Sequence, residues 1–106
     1  MINIAFITKD SALCGFVIDG HSGYARSGKD IVCSAVSALS HMAYVGIEQV
    51  LKLECDASER DGHMELTTLD HERAYVPLKM LEIELNEIKR QFPNYITITY
   101  RERRGL

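Results

Sequence analysis

The 106-residue sequence is short of several features that would assign it to a large class. No stretch comes near the ~18 consecutive apolar residues that a membrane helix needs, so no membrane association is expected. The opening residues, Met1-Ile2-Asn3-Ile4-Ala5-Phe6-Ile7-Thr8, carry neither a basic segment nor a small-residue cleavage site. No export signal is read there, and a cytoplasmic location is expected. Positive charge is not in excess: 12 Lys and Arg stand against 15 Asp and Glu, a net charge of −3. Nucleic-acid binders need a basic field to displace counterions from phosphates, so direct nucleic-acid binding is not expected. Cysteine is sparse. The three cysteines, at 14, 33 and 55, form no Cys-x-x-Cys pair, which excludes a zinc ribbon and a thioredoxin-type redox motif. In a reducing compartment they stay free thiols, and the default for each is a small buried hydrophobe. No repeat, linker or low-complexity segment divides the chain, so residues 1–106 read as one domain.

What is present is a change of hydrophobic period along the chain. Residues 2–8 alternate, with Ile2, Ile4 and Phe6 on one side, and predict a strand. Lys9-Asp10-Ser11 is a turn, and 13–20 a second strand paired with the first. Residues 20–29 hold Gly20, Gly23 and Gly28 with Ser22 and Ser27, a loop rich in small residues and expected to be mobile. From Asp30 to Val50 the spacing becomes helical. Ile31, Ala35, Ala38, Leu39, Met42, Ala43 and Gly46 mark an inner face of small residues that lets the helix sit close to a sheet. Ser27 with Asp30 fits a capping box, and Asp30 alone also fits the N-cap. Leu51–Asp56 alternates again, Asp56–Gly62 reads as a polar turn, and 63–69 as a returning strand. Leu78, Leu81, Leu85, Ile88 and Phe92 form the stripe of a second helix. Pro77 suits its first turn, so a start near 75–77 is natural, whereas a start at Asp70 would kink it. Residues 95–100 form the last strand, and the tail 101–106 is expected to fray. The order is ββαββαβ: an α+β fold in two layers, with both helices on one face of a mixed sheet.

One segment carries chemistry. His21 stands where a strand runs into the glycine-rich loop, and Cys33 near the start of a helix a dozen residues later. Near a helix N-terminus the free N–H groups and the macrodipole favour an anion, so a thiol there ionises more readily, and more so beside an imidazole. Thiolate and imidazolium together suit attack on a carbonyl followed by protonation of a leaving amine. Asp30 is available to orient the base or to cap the helix. On spacing alone a packed cysteine and an exposed histidine explain the same residues. No paired spacing among His21, Cys33, His41 and His63 supports a metal site, and no cofactor is implied. His41 lies ~12 Å along the helix from Cys33 at 1.5 Å per residue, too far to serve as its base.

The string Gly20-His21-Ser22-Gly23-Tyr24, followed by Gly28-Lys29-Asp30-Ile31-Val32-Cys33-Ser34-Ala35-Val36-Ser37, resembles the signature of the bacterial ribosomal-processing cysteine protease family (the Prp, or YsxB-like, family). The similarity extends to total length, strand order and the Phe92-Pro93-Asn94-Tyr95 junction, and so covers essentially the whole chain. It implies a Cys–His endopeptidase with Cys33 as nucleophile and His21 as general base. Asp30 matches the family's Asp and Ser37 its downstream Ser, both in supporting roles beside Gly20. The implied substrate is the precursor of a large-subunit ribosomal protein, number twenty-seven of the L series, whose N-terminal extension is removed after an aromatic pair. The family also implies a homodimer, which would cover the bare sheet face or an edge. Ser22 and Ser34 stand where members often have Ala, and Leu69-Asp70-His71-Glu72 is only loosely similar.

Ser22, Gly23, Tyr24 and Gly28 would belong to a flap that orders over a peptide substrate. Tyr24 would stack on a substrate side chain or face solvent. The Ser37 hydroxyl would bond near the thiolate or back to the residue 33 carbonyl. Cys14 and Cys55 are expected to be buried and inert, and His63 and His71 exposed. Two alternatives use the same residues differently: a ribosome-associated binding module that does not cut, with Arg101, Arg103 and Arg104 as its basic tail, and a small acyl-transfer hydrolase.

Overall fold

The alternation of Ile2, Ile4 and Phe6 builds strand β1 (Ile2–Lys9), which pairs antiparallel with β2 (Ala12–Asp19). In the computed structural model, which describes residues 1–26 and 28–103, Ile4 lies opposite Ile18 and Phe6 opposite Phe16. Asp10 and Ser11 both take positive φ, 51° and 70°, as a two-residue hairpin turn matched to strand twist requires. Strands β3 (Cys55–Arg60) and β4 (His63–Thr68) form a second hairpin, and β4 joins the other edge of β2. Strand β5 (Ile96–Glu102) runs parallel to β1, so the sheet is mixed, in the order β3-β4-β2-β1-β5.

Helices α1 (Ile31–Val45) and α2 (Tyr75–Gln91) pack together on the face that carries Ile2, Ile4, Phe6, Phe16, Ile18 and Leu66. Val32, Val36, Leu78, Leu81 and Leu85 close the core from the helix side. Each large side chain so buried contributes about 1.5–3 kcal/mol, a large share of the ~5–15 kcal/mol that holds a domain together. Helix α2 starts at Tyr75, which puts Pro77 in the first turn, where its missing N–H has no partner to lose.

Five expectations from the sequence need correction. The third strand occupies Cys55–Arg60 and not Leu51–Asp56. Lys52 takes a φ of 55°, and only Leu53 of that stretch is buried, as a plug below the core. The inner face of α1 is rotated: Val32, Val36, Ser40 and Ala43 are buried, whereas Ile31 and Met42 are exposed. Its small residues meet α2, not the sheet. A Cβ on Gly46 would lie 3.6 Å from Pro77 Cβ, and Ala43 and Gly46 line a groove with Pro77 and Leu81. A π-helical turn (Gly46–Val50) extends α1, and the 20 residues Ile31–Val50 have the length and hydropathy of a membrane span, contrary to the expectation of none. Val32, Val36 and Ile47 nevertheless belong to the core, which makes this the core helix. The tail does not fray at Arg101 and Glu102. The Glu102 carboxylate accepts hydrogen bonds from Thr8 Oγ1 at 3.0 Å and Asp10 N–H at 2.9 Å, and Arg103 N–H donates to Thr8 O at 2.6 Å. Residues 104–106 lie outside the described residues. Finally, His63 is largely buried and not exposed, and His71 is half-buried.

Candidate active site

Asp30 begins α1 as its N-cap, with extended backbone (φ −88°, ψ 99°) and Oδ1 accepting the Cys33 N–H at 2.9 Å. The alternative capping box involves Ser27, which lies outside the described residues. Cys33 is therefore the third helical residue, inside the turn whose N–H groups lack helical partners.

The segment after β2 folds back over this turn. Gly20 takes a φ of 97°, donates its N–H to Gly62 O at 2.8 Å, and a Cβ on it would lie 2.5 Å from Met1 O. Only glycine fits there, so its supporting role is to let the chain turn beside β1. Ser22 follows, and its N–H donates to Cys33 Sγ at 3.2 Å. The Ser22 hydroxyl donates to Asp30 Oδ2 and accepts the Tyr24 N–H at 3.1 Å. Ala25 N–H also reaches Asp30 Oδ2, at 3.3 Å. The α-amino group of Met1 donates to the carbonyls of His21 and Ser22.

Asp30 is 8% exposed. Burial alone would raise its carboxyl, but hydrogen bonds from Cys33 N–H, the Ser22 hydroxyl, Ala25 N–H and the Cys33 side chain hold it down to about 2. Its two oxygens are thus taken up by the cap and the loop. Of the two roles open to Asp30, capping is the one formed here. Within the expected substrate loop the Ser22 side chain is buried and ties the loop to the helix.

His21, Cys33, Gly20 and Ser37 line one cleft of about 330 Å³, walled opposite by Glu59, Arg60, Asp61 and Gly62 of the β3–β4 hairpin. The His21 imidazole is exposed, with Nε2 4.0 Å from Asp61 Oδ2. Gly62, at φ 73°, leaves it room: a Cβ there would lie 2.9 Å from Nε2. The sequence shows a polar turn and returning strand here but not their place as a wall of the cleft, because a charged turn carries no sign of what it will face. Ser37, one turn after Cys33, is exposed along the cleft. Gly23 and Gly28, at φ 72° and 84°, are exposed with open space where a Cβ would sit. Tyr24 turns back onto the protein, edge-on to Phe92 and Tyr95.

Two other histidines pair with acidic residues. His63 pairs with Asp19 across β2 and β4, on the face opposite the helices. Its Nδ1 lies 3.0 Å from Asp19 Oδ1 and its Nε2 3.6 Å from Glu65 Oε2. His41 Nε2 lies 3.9 Å from Glu59 Oε1. His21 and His63 both line the Cys33 cleft; the His63 imidazole is largely buried beside Asp19 and Glu65, and that of His21 is exposed. Cys14 is buried, as the sequence predicts, whereas Cys55 is only half-buried. Burial pushes both thiols up, and Glu48 and Asp56 push Cys55 further. Among the described residues no three His, Cys, Asp or Glu side chains gather where they could hold a metal.

A thiol under an N–H donor, an imidazole on the same cleft and an open hairpin wall are the parts that acyl transfer requires. Solved structures share the fold. The essential ribosomal processing protease Prp from S. aureus, in complex with a covalently linked product peptide, superposes with a TM-score of 0.88 at 24% identity, covering 95% of this chain and 100% of that one. The same S. aureus protease in complex with a substrate peptide gives a TM-score of 0.83 at 23% identity, covering 95% and 100%. SMU.848 from Streptococcus mutans gives 0.74 at 25% identity, covering 97% of this chain and 96% of that one. Comparison with curated protein sequences gave no significant match. The family model for cysteine protease Prp matches residues 1–97, and the chain therefore belongs to the Prp family of cysteine proteases.

Proposed function

We propose that this protease cuts one peptide bond in the N-terminal extension of a bacterial large-subunit ribosomal protein precursor, number twenty-seven of the L series, with Cys33 and His21 as its working pair. The observation that carries the pair is the position of Cys33 as third residue of α1, its sulfur under the Ser22 N–H and on the same cleft as His21. The Cys33 thiolate attacks the scissile carbonyl, and the His21 imidazolium protonates the departing amine. A thioester is left on Cys33. Water then attacks it while His21 removes a proton, which releases the acid and restores the thiolate. The substrate reading is supported by the motif from Gly20 to Ser37 and by the S. aureus relative, a ribosomal processing protease with a bound substrate peptide.

The working form in this reading is a cytoplasmic homodimer. A 12.0 kDa domain with both helices on one sheet face leaves the other face for a second copy. Sedimentation at micromolar concentration tests this, with a mass of two chains expected. For the activity, the precursor is incubated with the protease and the products are weighed by mass spectrometry. A single cut that removes the extension is expected from the parent protein and no cut from Cys33→Ala. Cleavage by Cys33→Ala would refute the pair, and an uncut precursor with the parent protein would refute the substrate.

A further inference from the structure

The loop that reaches Cys33 is held at its far end by an aromatic contact that the catalytic reading does not use. The Tyr24 ring stands edge-on to Phe92, centroids 5.5 Å apart at 83°, and to Tyr95, 5.3 Å apart at 76°. Edge-to-face geometry within 4.5–7 Å is the attractive arrangement of aromatic rings. The platform under Tyr24 is itself fixed. Phe92 caps α2 with its N–H on Ile88 O at 2.9 Å. Tyr95 N–H donates to Phe92 O at 3.1 Å, and Tyr95 O accepts Ile2 N–H at 2.9 Å, which ties it to the first residue of β1. Both side chains pack against the core.

The consequence lies two residues back. Ser22 N–H is the donor on Cys33 Sγ, and Tyr24 N–H in turn donates to Ser22 Oγ. Between the two stands Gly23 at positive φ with open space around it, and Gly28 lies beyond. Glycine gives this loop freedom to swing away, so something must hold it against the helix. Hydrogen bonds to Asp30 hold one side. The Tyr24 ring, wedged against Phe92 and Tyr95, holds the other.

We propose that Phe92 and Tyr95 are positioning residues for the active site, acting through Tyr24 to keep the Ser22 N–H on the Cys33 sulfur and so favour the thiolate. This rests on the reading of Cys33 as nucleophile. The ionisable groups on or beside the thiol's cleft are Asp30 at the head of its own helix, His21 after β2, the α-amino group of Met1 on the His21 and Ser22 carbonyls, His63 of β4, and Glu59, Arg60 and Asp61 of the hairpin. None of these is changed by substitutions in the aromatic cluster.

The test is the rate of Cys33 alkylation by iodoacetamide, located by mass spectrometry, at pH 7 and at pH 10. At the higher pH a thiol is ionised without help, so the ratio of the two rates isolates the contribution of the N–H from changes in access. Tyr24→Ala is expected to lower the ratio about three- to tenfold, the effect of losing two edge-on ring contacts. Tyr24→Phe keeps the ring and is expected to restore the parent ratio, and Phe92→Leu to behave like Tyr24→Ala. Tyr24 is 42% exposed and lies outside the core, so its variants decide the matter even if Phe92→Leu does not fold. An unchanged ratio in Tyr24→Ala, or a Tyr24→Phe ratio as low as that of Tyr24→Ala, would overturn the proposal. No cleavage is measured, so this outcome is independent of the Cys33→Ala cleavage assay, which tests the nucleophile itself.

Discussion

Cys33 and Cys14 carry the same thiol in opposite settings. Cys14 lies in β2, 2% exposed, and burial pushes its thiol up, with Arg103 opposing. Cys33 lies at the head of α1, half-buried, with an N–H on its sulfur and an open cleft before it. Cys55 is intermediate in exposure but lies beside Glu48 and Asp56, whose charges disfavour a thiolate. The difference teaches that exposure alone does not make a cysteine a nucleophile. Arg103 bonds Cys14 as the Ser22 N–H bonds Cys33, and Asp30 stands beside Cys33 as Glu48 and Asp56 stand beside Cys55, so what sets Cys33 apart is its place on the cleft, with room for a carbonyl before it.

The contrast can be broken most decisively by exchanging the roles. Cys33→Ala is expected to lower cleavage of the precursor by about 10³-fold or more, because no other group takes over the covalent step. Cys14→Ala and Cys55→Ala should leave kcat within about threefold, since neither thiol reaches the cleft. A comparable loss from either would dissolve the distinction. Next in size is His21→Ala, with an expected loss of about 10²–10⁴-fold at pH 7. Its side chain is exposed, so the circular dichroism and melting temperature should stay as in the parent.

Asp30→Ala sharpens the comparison from the structural side. It removes the N-cap and the anchor of Ser22, at a cost of about 1–2 kcal/mol read from urea unfolding. The parent should also show a matching acid dependence. The folded Asp30 carboxyl lies at about 2, below its ordinary value of 3.8. Its stabilisation is therefore complete above pH ~4 and is lost as pH falls through about 2. Melting temperatures of Asp30→Asn should be flatter than those of the parent across that window. The smallest effect is expected from Gly62→Ala. A Cβ there meets His21 Nε2 at 2.9 Å and sits at a φ of 73°. The imidazole swings aside, and kcat falls by about fivefold. An unaltered kcat would show that the hairpin does not set the place of the base.

Much of the fold was legible because its central strands bury one face, and burial writes period two into the sequence at Ile2, Ile4 and Phe6 and at Phe16 and Ile18. The third strand was not. Strand β3 is an edge, exposed along nearly its whole length, so Asp56, Ser58 and Arg60 carry no alternation to read. Leu53, buried without being in a strand, supplied a false one. The face of α1 was misjudged because Ala and Gly fit a sheet and a neighbouring helix equally well, and Pro77 on α2 settles which they meet. At the site, the capping role of Asp30 follows from helix-end chemistry, whereas the reading of Cys33 and His21 as a pair rests on the resemblance of their motif, since spacing alone fits a packed cysteine and an exposed histidine as well. The Ser22 N–H on the sulfur, the Asp61–Gly62 wall and the ring contacts of Tyr24 follow from neither, because each joins segments whose meeting depends on tertiary packing.

The claim that environment singles out Cys33 is tested most directly by mapping iodoacetamide adducts on the folded protein at pH 7, peptide by peptide, against time. Cys33 is expected to be modified at least about tenfold faster than Cys14 or Cys55. Equal rates at the three cysteines, or first modification at Cys55, would contradict it.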